Sequence, residues 1–295
     1  MNNFSNYSKF IPWSLPLLTG LLVVGCAGRN PILGTGGSGV GGGPTITLGS
    51  ASTYGTFGGT AGMTNQGILT VVNGDIGTTA TNTSTVTGFH DPAGDVYTEV
   101  PGTNVGSVTG TIYTCTTSTT GPTSTAVNAA YCTRADQARL DAQTAYLNLA
   151  ARPGGPDPGA GNLAGLVLTP GVYTAIAGSF KIQGGNLTLD AQGNANAQWV
   201  FQMASSLTVG GPGTAFPQSV LLVNGAQAKN VFWQVGSAAT INAAGGGTMK
   251  GTIISQSGVS FSTPGNTTIV TLDGRALSLG ASVTMVDTVI NVPAP

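Results

Sequence analysis

Four short runs in the second half of the chain alternate apolar with small polar residues: Ser206-Leu-Thr-Val209, Ala239-Thr-Ile-Asn242, Val259-Ser-Phe-Ser262 and Ser282-Val-Thr-Met285. In a strand, a two-residue period sends alternate side chains to opposite faces. One set, Leu207, Val209, Ala239, Ile241, Val259, Phe261, Val283 and Met285, is suited to a core. The other set, Ser206, Thr208, Thr240, Asn242, Ser260, Ser262, Ser282 and Thr284, then points outward. The central positions Thr208, Thr240, Ser260 and Thr284 recur after 32, 20 and 24 residues. Such an interval fits one coil of a β-solenoid, with glycines at the corners. A β-sandwich has similar strand lengths and turns, so the alternation leaves both open. The shared alignment of Thr and Ser positions weighs toward stacked coils. If the runs stack, their outer face is an array of short hydroxyls that suits a large, flat, uncharged partner.

One segment has helical rather than strand periodicity. Ala135, Ala138, Ala142, Ala145, Tyr146 and Leu149 share a broad face at helical spacing. Thr133 with Asp136 resembles a capping box, and Pro153-Gly-Gly155 stops the pattern, which predicts a helix over 133–151. Its alanine stripe suits close approach to a sheet. The stretch 91–131 is rich in Gly, Pro and Thr and reads as an insertion of loops around short extended pieces.

Composition narrows the chemistry. The chain has 295 residues and is 40% hydrophobic, enough for a substantial core. Charged residues make up only 6%, against about 25% in ordinary domains. Nine Lys and Arg against ten Asp and Glu leave a net charge of −1, which argues against nucleic acid as a partner. The single histidine, His90, stands beside Asp91 with no Ser motif to complete a triad, so it reads as loop structure. Metal sites need three or four ligands, and the ligand types are too sparse here. Asp190 and Asp273 could form a glycosidase pair if coils brought them together, but each stands in a turn-forming context. The expectation is a protein without catalytic residues, cofactor or metal.

The N-terminus reads as an export signal. Residues 10–25 are mostly apolar after Lys9, a run too short to span a bilayer. Leu22-Val-Val-Gly-Cys26 matches the bacterial lipobox, in which the chain is cut before a cysteine that then receives lipid. The organisation expected is a lipoprotein signal peptide at 1–25, Cys26 with a glycine-rich tether through residue 48, and a solenoid domain over 49–292. That makes the protein an outer-membrane or cell-surface lipoprotein, or one released extracellularly. In an exported chain, Cys115 and Cys132 sit in an oxidising environment. A disulfide between them would clip the 91–131 insertion, with an entropic gain of roughly 3 kcal/mol. The alternative is two separate small hydrophobes.

Several stretches carry a family resemblance. They are Val71-Val-Asn-Gly-Asp-Ile-Gly77, Leu168-Thr-Pro-Gly-Val-Tyr173, Leu187-Thr-Leu-Asp-Ala-Gln-Gly-Asn194, Trp199-Val-Phe-Gln202, the run Val223 to Val235, Gly251-Thr-Ile-Ile254 and Asp273-Gly-Arg-Ala-Leu277. Over about residues 49–292 the chain resembles the microbial ice-binding proteins. The resemblance implies a mainly β, right-handed, three-faced discontinuous β-solenoid with one long helix packed alongside and N-terminal strands completing the stack beside C-terminal ones. The 91–131 insertion would cap one end. It also implies ice binding through a flat face of outward Thr, Ser and Asn. Ser206-Leu-Thr208 and Ala238-Ala-Thr-Ile-Asn242 match that pattern, while Gly258-Val-Ser-Phe-Ser262 and Ser282-Val-Thr284 carry serine in its place. The partners expected are an ice crystal or another flat uncharged surface, and the membrane through lipid on Cys26. The protein itself is expected to be a monomer. A surface-anchored adhesin or structural protein fits the tether and solenoid equally well, and a polysaccharide-binding or -cleaving solenoid is a further alternative.

Overall fold

A computed structural model describes residues 45–211 and 217–294. The leader, Cys26 and the tether up to residue 44 lie outside the described residues. The remainder is a stack of coils, each passing through three short strands that pair in parallel with their counterparts above and below. Inward side chains from the three faces fill the interior. Phe201 and Trp233 stack there with ring centroids 4.1 Å apart. The indole N–H of Trp199 donates to Leu168 O and that of Trp233 to Lys250 O, so neither buried donor is left unpaired.

Two strands, Thr248–Ser255 and Val270–Ser278, run through a corner and belong to two faces at once. Glycine makes that corner possible. Gly251 has φ +103°, and a Cβ on Gly274 would lie 1.8 Å from Gly251 O.

The coils are not consecutive in sequence. Tyr54–Gly58 lies between Val270–Ser278 and Asp75–Thr78, with Phe57 opposite Leu277 and Gly77. Met63–Asn65 lies between Val283–Met285 and Val86–Thr87. The third side of the same coil is Thr288–Asn291, between Val270–Ser278 and Thr70–Asn73. One coil is therefore assembled from segments more than 200 residues apart. The 91–131 insertion prolongs the stack as well as closing it. Gly106–Val108 and Ile112–Thr114 pair onto Thr70–Asn73 and Asp75–Thr78, and the antiparallel pair Phe89–His90 and Val96–Tyr97 follows at the end. A disulfide joins Cys115, just after Ile112–Thr114, to Cys132 in the helix.

That helix runs Ala129–Ala150 and so begins four residues before the expected start. Asn128 is the N-cap; its Oδ1 accepts from the backbone N–H groups of both Ala130 and Tyr131. Asn is at least as strong a cap as Thr and here satisfies two orphan donors. Thr133 is interior, with its hydroxyl donating back to Ala129 O at 2.9 Å. The alanine face packs as its spacing predicts: Ala135, Ala138, Ala142, Ala145 and Leu149 are buried with Tyr54, Phe57, Val200, Phe232, Ile254 and Leu277. Leu48 joins the same cluster. At the helix C-terminus, Gln202 Nε2 donates to Leu149 O and Arg152 O, satisfying carbonyls the helix leaves open.

Candidate functional site

A second face of the solenoid has no helix over it. Its sheet has seven strands, in the order Phe180–Ile182, Leu207–Val209, Ala239–Ile241, Val259–Phe261, Val283–Met285, Met63–Asn65 and Val86–Thr87. Six of these strands have three residues and offer one outward residue between two inward ones; Val86–Thr87 offers Thr87 after the inward Val86. Register sets those residues in a single column: Lys181, Thr208, Thr240, Ser260, Thr284, Thr64 and Thr87. The flanking Leu207, Val209, Ile241, Phe261, Val283 and Met285 are fully buried and fix the height of the column. At the usual strand spacing of about 4.8 Å, the six hydroxyl residues span about 24 Å.

The hydroxyls of Thr208, Thr240, Ser260, Thr284 and Thr64 bond to no protein group among the described residues. Thr87 donates to Ser84 O at 3.2 Å. A column of half-buried hydroxyls with methyl neighbours and unused hydrogen-bonding capacity can hold water by hydrogen bonds.

Beside this column runs a second line at the strand entrances, which includes Ser206, Ala238, Gly258 and Ser282. Backbone bonds from Leu207 N to Ala238 O, Ala239 N to Gly258 O and Val259 N to Ser282 O tie it together. Ser206 and Ser282 are half-buried, and Ser206 Oγ lies 3.1 Å from Ser179 Oγ. The small residues keep this line low. A Cβ at Gly258 would come within 2.8 Å of Ser282 O.

Asn242 and Ser262 are not on the face. The strands end at Ile241 and Phe261, and the next residue of each turns the corner with φ 46° and 59°. Asn242 is 1% exposed; its amide accepts from Gln218 N and donates to Gln218 O, which pins the corner. Ser262 is buried, and its Oγ has no hydrogen-bond partner among the described residues. The two-residue alternation stops where the backbone enters the left-handed region, so outwardness cannot be extended past the third strand residue.

Three members of the column escape the sequence reading: Lys181, Thr64 and Thr87. Phe180-Lys-Ile182 and Met63-Thr-Asn65 carry the same in-out-in alternation, so the local signal was present. Adjacency was not, because Thr64 meets Thr284 only through the composite coil.

The third face is less regular. Val167, Thr188 and Leu221 share one column, with Val167 and Leu221 exposed. Further along, Lys250 pairs with Asp273, Asn291 Nδ2 donates to Asp273 Oδ1, and Asn73 Nδ2 donates to Asn291 Oδ1. Asp190 is on this face too, opposite Val223. It belongs to a three-stranded sheet separate from the one that holds Asp273, and each carboxylate is engaged locally: Asp190 Oδ1 accepts from Gln192 N and Asn224 Nδ2, and Asp273 from Asn291 Nδ2 and the Lys250 ammonium, so neither is set up as half of a glycosidase pair. His90 Nδ1 lies 2.7 Å from Glu99 Oε1, and Glu99 also accepts from Gly106 N, which makes the histidine part of the end loops. Cys115, Cys132 and Asp136 converge, but both sulfurs are spent in the disulfide.

Residues 57–291, nearly the whole solenoid, match the family described as ice-binding-like. The chain belongs to that family. An ice-binding protein of Nostoc sp. (strain HG1) is 36% identical over 239 residues, covering 81% of this chain and 71% of that one. Ice-binding protein 1 of Shewanella frigidimarina is 34% identical over 157 residues, 48% of this chain but only 16% of that longer one. Among solved structures, an ice binding protein from an Antarctic biological consortium superposes with a TM-score of 0.60 at 33% identity, covering 83% of this chain and 90% of that one.

Proposed function

We propose that this member of the ice-binding-like family binds ice through the column Thr208, Thr240, Ser260, Thr284, Thr64 and Thr87 and its low flanking line, and so inhibits crystal growth and recrystallisation. The observation that carries the reading is the column itself: in register, uncharged over six positions, with five hydroxyls that bond to no protein group among the described residues. Strands about 4.8 Å apart, with alternate residues about 6.6 Å apart along each, repeat on the scale of a crystal lattice. Threonine's β-branch holds its methyl and hydroxyl in few rotamers, so little entropy is lost on contact. A rigid protein pinned to ice forces the surface between pinning points to curve, which opposes further growth. On this reading the protein is a binder rather than a catalyst, since the six positions offer no acid or base.

The deciding experiment compares thermal hysteresis and recrystallisation inhibition for the protein and Thr240→Tyr, with circular dichroism to verify folding. The ring should lift the face off the crystal and abolish most of the hysteresis, at a stability cost under about 0.5 kcal/mol for an outward position. Wild-type protein that leaves ice growth and recrystallisation unaltered would overturn the reading and put the adhesin first. Export with acylation at Cys26 accompanies this proposal and would hold the face at the cell surface. Mass spectrometry of the mature N-terminus should find a lipidated cysteine there; an unmodified Cys26 counts against anchoring.

A further inference from the structure

We infer that Lys181 ends the working part of the hydroxyl face and thereby limits how strongly the protein holds ice; the inference rests on the ice-binding reading above. Lys181 occupies the outward position of Phe180–Ile182, directly opposite Thr208, and is exposed. It is the charged member of a column otherwise made of threonine and serine. Among the described residues its ammonium makes no ion pair and no side-chain hydrogen bond.

Lysine on an edge strand commonly keeps a second sheet from pairing there. Phe180–Ile182 is the edge of its sheet, but that edge is already covered. Leu163 N donates to Lys181 O at 2.8 Å, Asn162 Nδ2 donates to Gln183 O, and Gln183 N donates to Asn162 Oδ1. The backbone groups that would invite another strand are occupied, so the charge is not needed to protect them.

Its effect then falls on the face. An ammonium is a compact, strongly hydrated charge on a four-carbon stem. It stands above the level of short hydroxyl side chains and keeps a shell of water that does not fit a lattice. Fixing that flexible stem against a crystal also costs rotamer entropy. Contact therefore stops at Thr208, although the backbone lattice continues for one more strand. The Pro158–Gly161 turn and Asn162 close the stack beyond it, so the gain available is a single position.

The test is Lys181→Thr, with Lys181→Arg as the charge-retaining control and Thr240→Tyr measured in the same assay. Threonine favours a strand, and circular dichroism checks folding; Lys181→Ser replaces the threonine variant if that one misfolds. The expected result is a wider hysteresis gap for Lys181→Thr than for wild type at equal concentration, with Lys181→Arg unchanged. A gap no wider in Lys181→Thr, while Thr240→Tyr loses activity, overturns the inference and leaves the face intact. If wild type is inactive, or Thr240→Tyr is fully active, the face reading fails and takes this inference with it.

Discussion

The helix-covered face and the hydroxyl face are built from different strands of the same coils, and they meet opposite fates. On the first, outward positions include Val200, Phe232, Ile254, Leu277 and Phe57, large apolar groups that cannot be left in water. The chain supplies a helix to cover them and lines that helix with alanine so that it can come close. On the second, the outward positions are Thr and Ser, apart from Lys181 at the edge, and no described element covers them. Coiling alone therefore does not say what a solenoid face is for. The identity of one residue per strand decides between an internal interface and a surface reserved for an outside partner.

Changes on the two faces should separate stability from activity. The largest effect is expected from Phe232→Ala, which empties a buried site under the helix. It should cost about 3–5 kcal/mol in urea unfolding, while hysteresis per folded molecule stays as in wild type. Loss of activity in the fully folded variant would mean that the helix side shapes the ice contact, and the separation would fail. The smallest effect is expected from Thr188→Tyr on the third face. It should change stability by less than about 0.5 kcal/mol and leave hysteresis unaltered. If it lowers hysteresis as Thr240→Tyr does, the third face shares in the contact and the hydroxyl face is no longer singular.

Much of this contrast is legible in the sequence, for a reason rooted in local geometry. Alternation is a property of three consecutive residues, so Leu207-Thr-Val209 and Val259-Ser-Phe261 announce their inward and outward sides without help from the rest of the chain. The helix announces itself equally through Ala135, Ala138, Ala142 and Ala145. What local pattern could not give is where each element stops. Asn242 and Ser262 continue the alternation in letters but not in space, because the backbone bends at those residues. Asn128 and Thr133 are both plausible caps, and the choice between them depends on the chain entering the helix. Nor could the pattern place Thr64, whose neighbour Thr284 comes from the far end of the chain, or Thr87, which follows Thr64 in the column.

That last point bears on how the protein matures. Thr64 stands beside Thr284 only once Tyr54–Gly58 has paired with Val270–Ser278 and Met63–Asn65 with Val283–Met285. Contacts of such long sequence separation form late and slowly. Before that seam closes, the chain can show a line of four hydroxyls, Thr208 to Thr284, and a separate pair, but not the unbroken six. A newly made molecule would therefore gain its full reach on a crystal in the same event that joins its two ends.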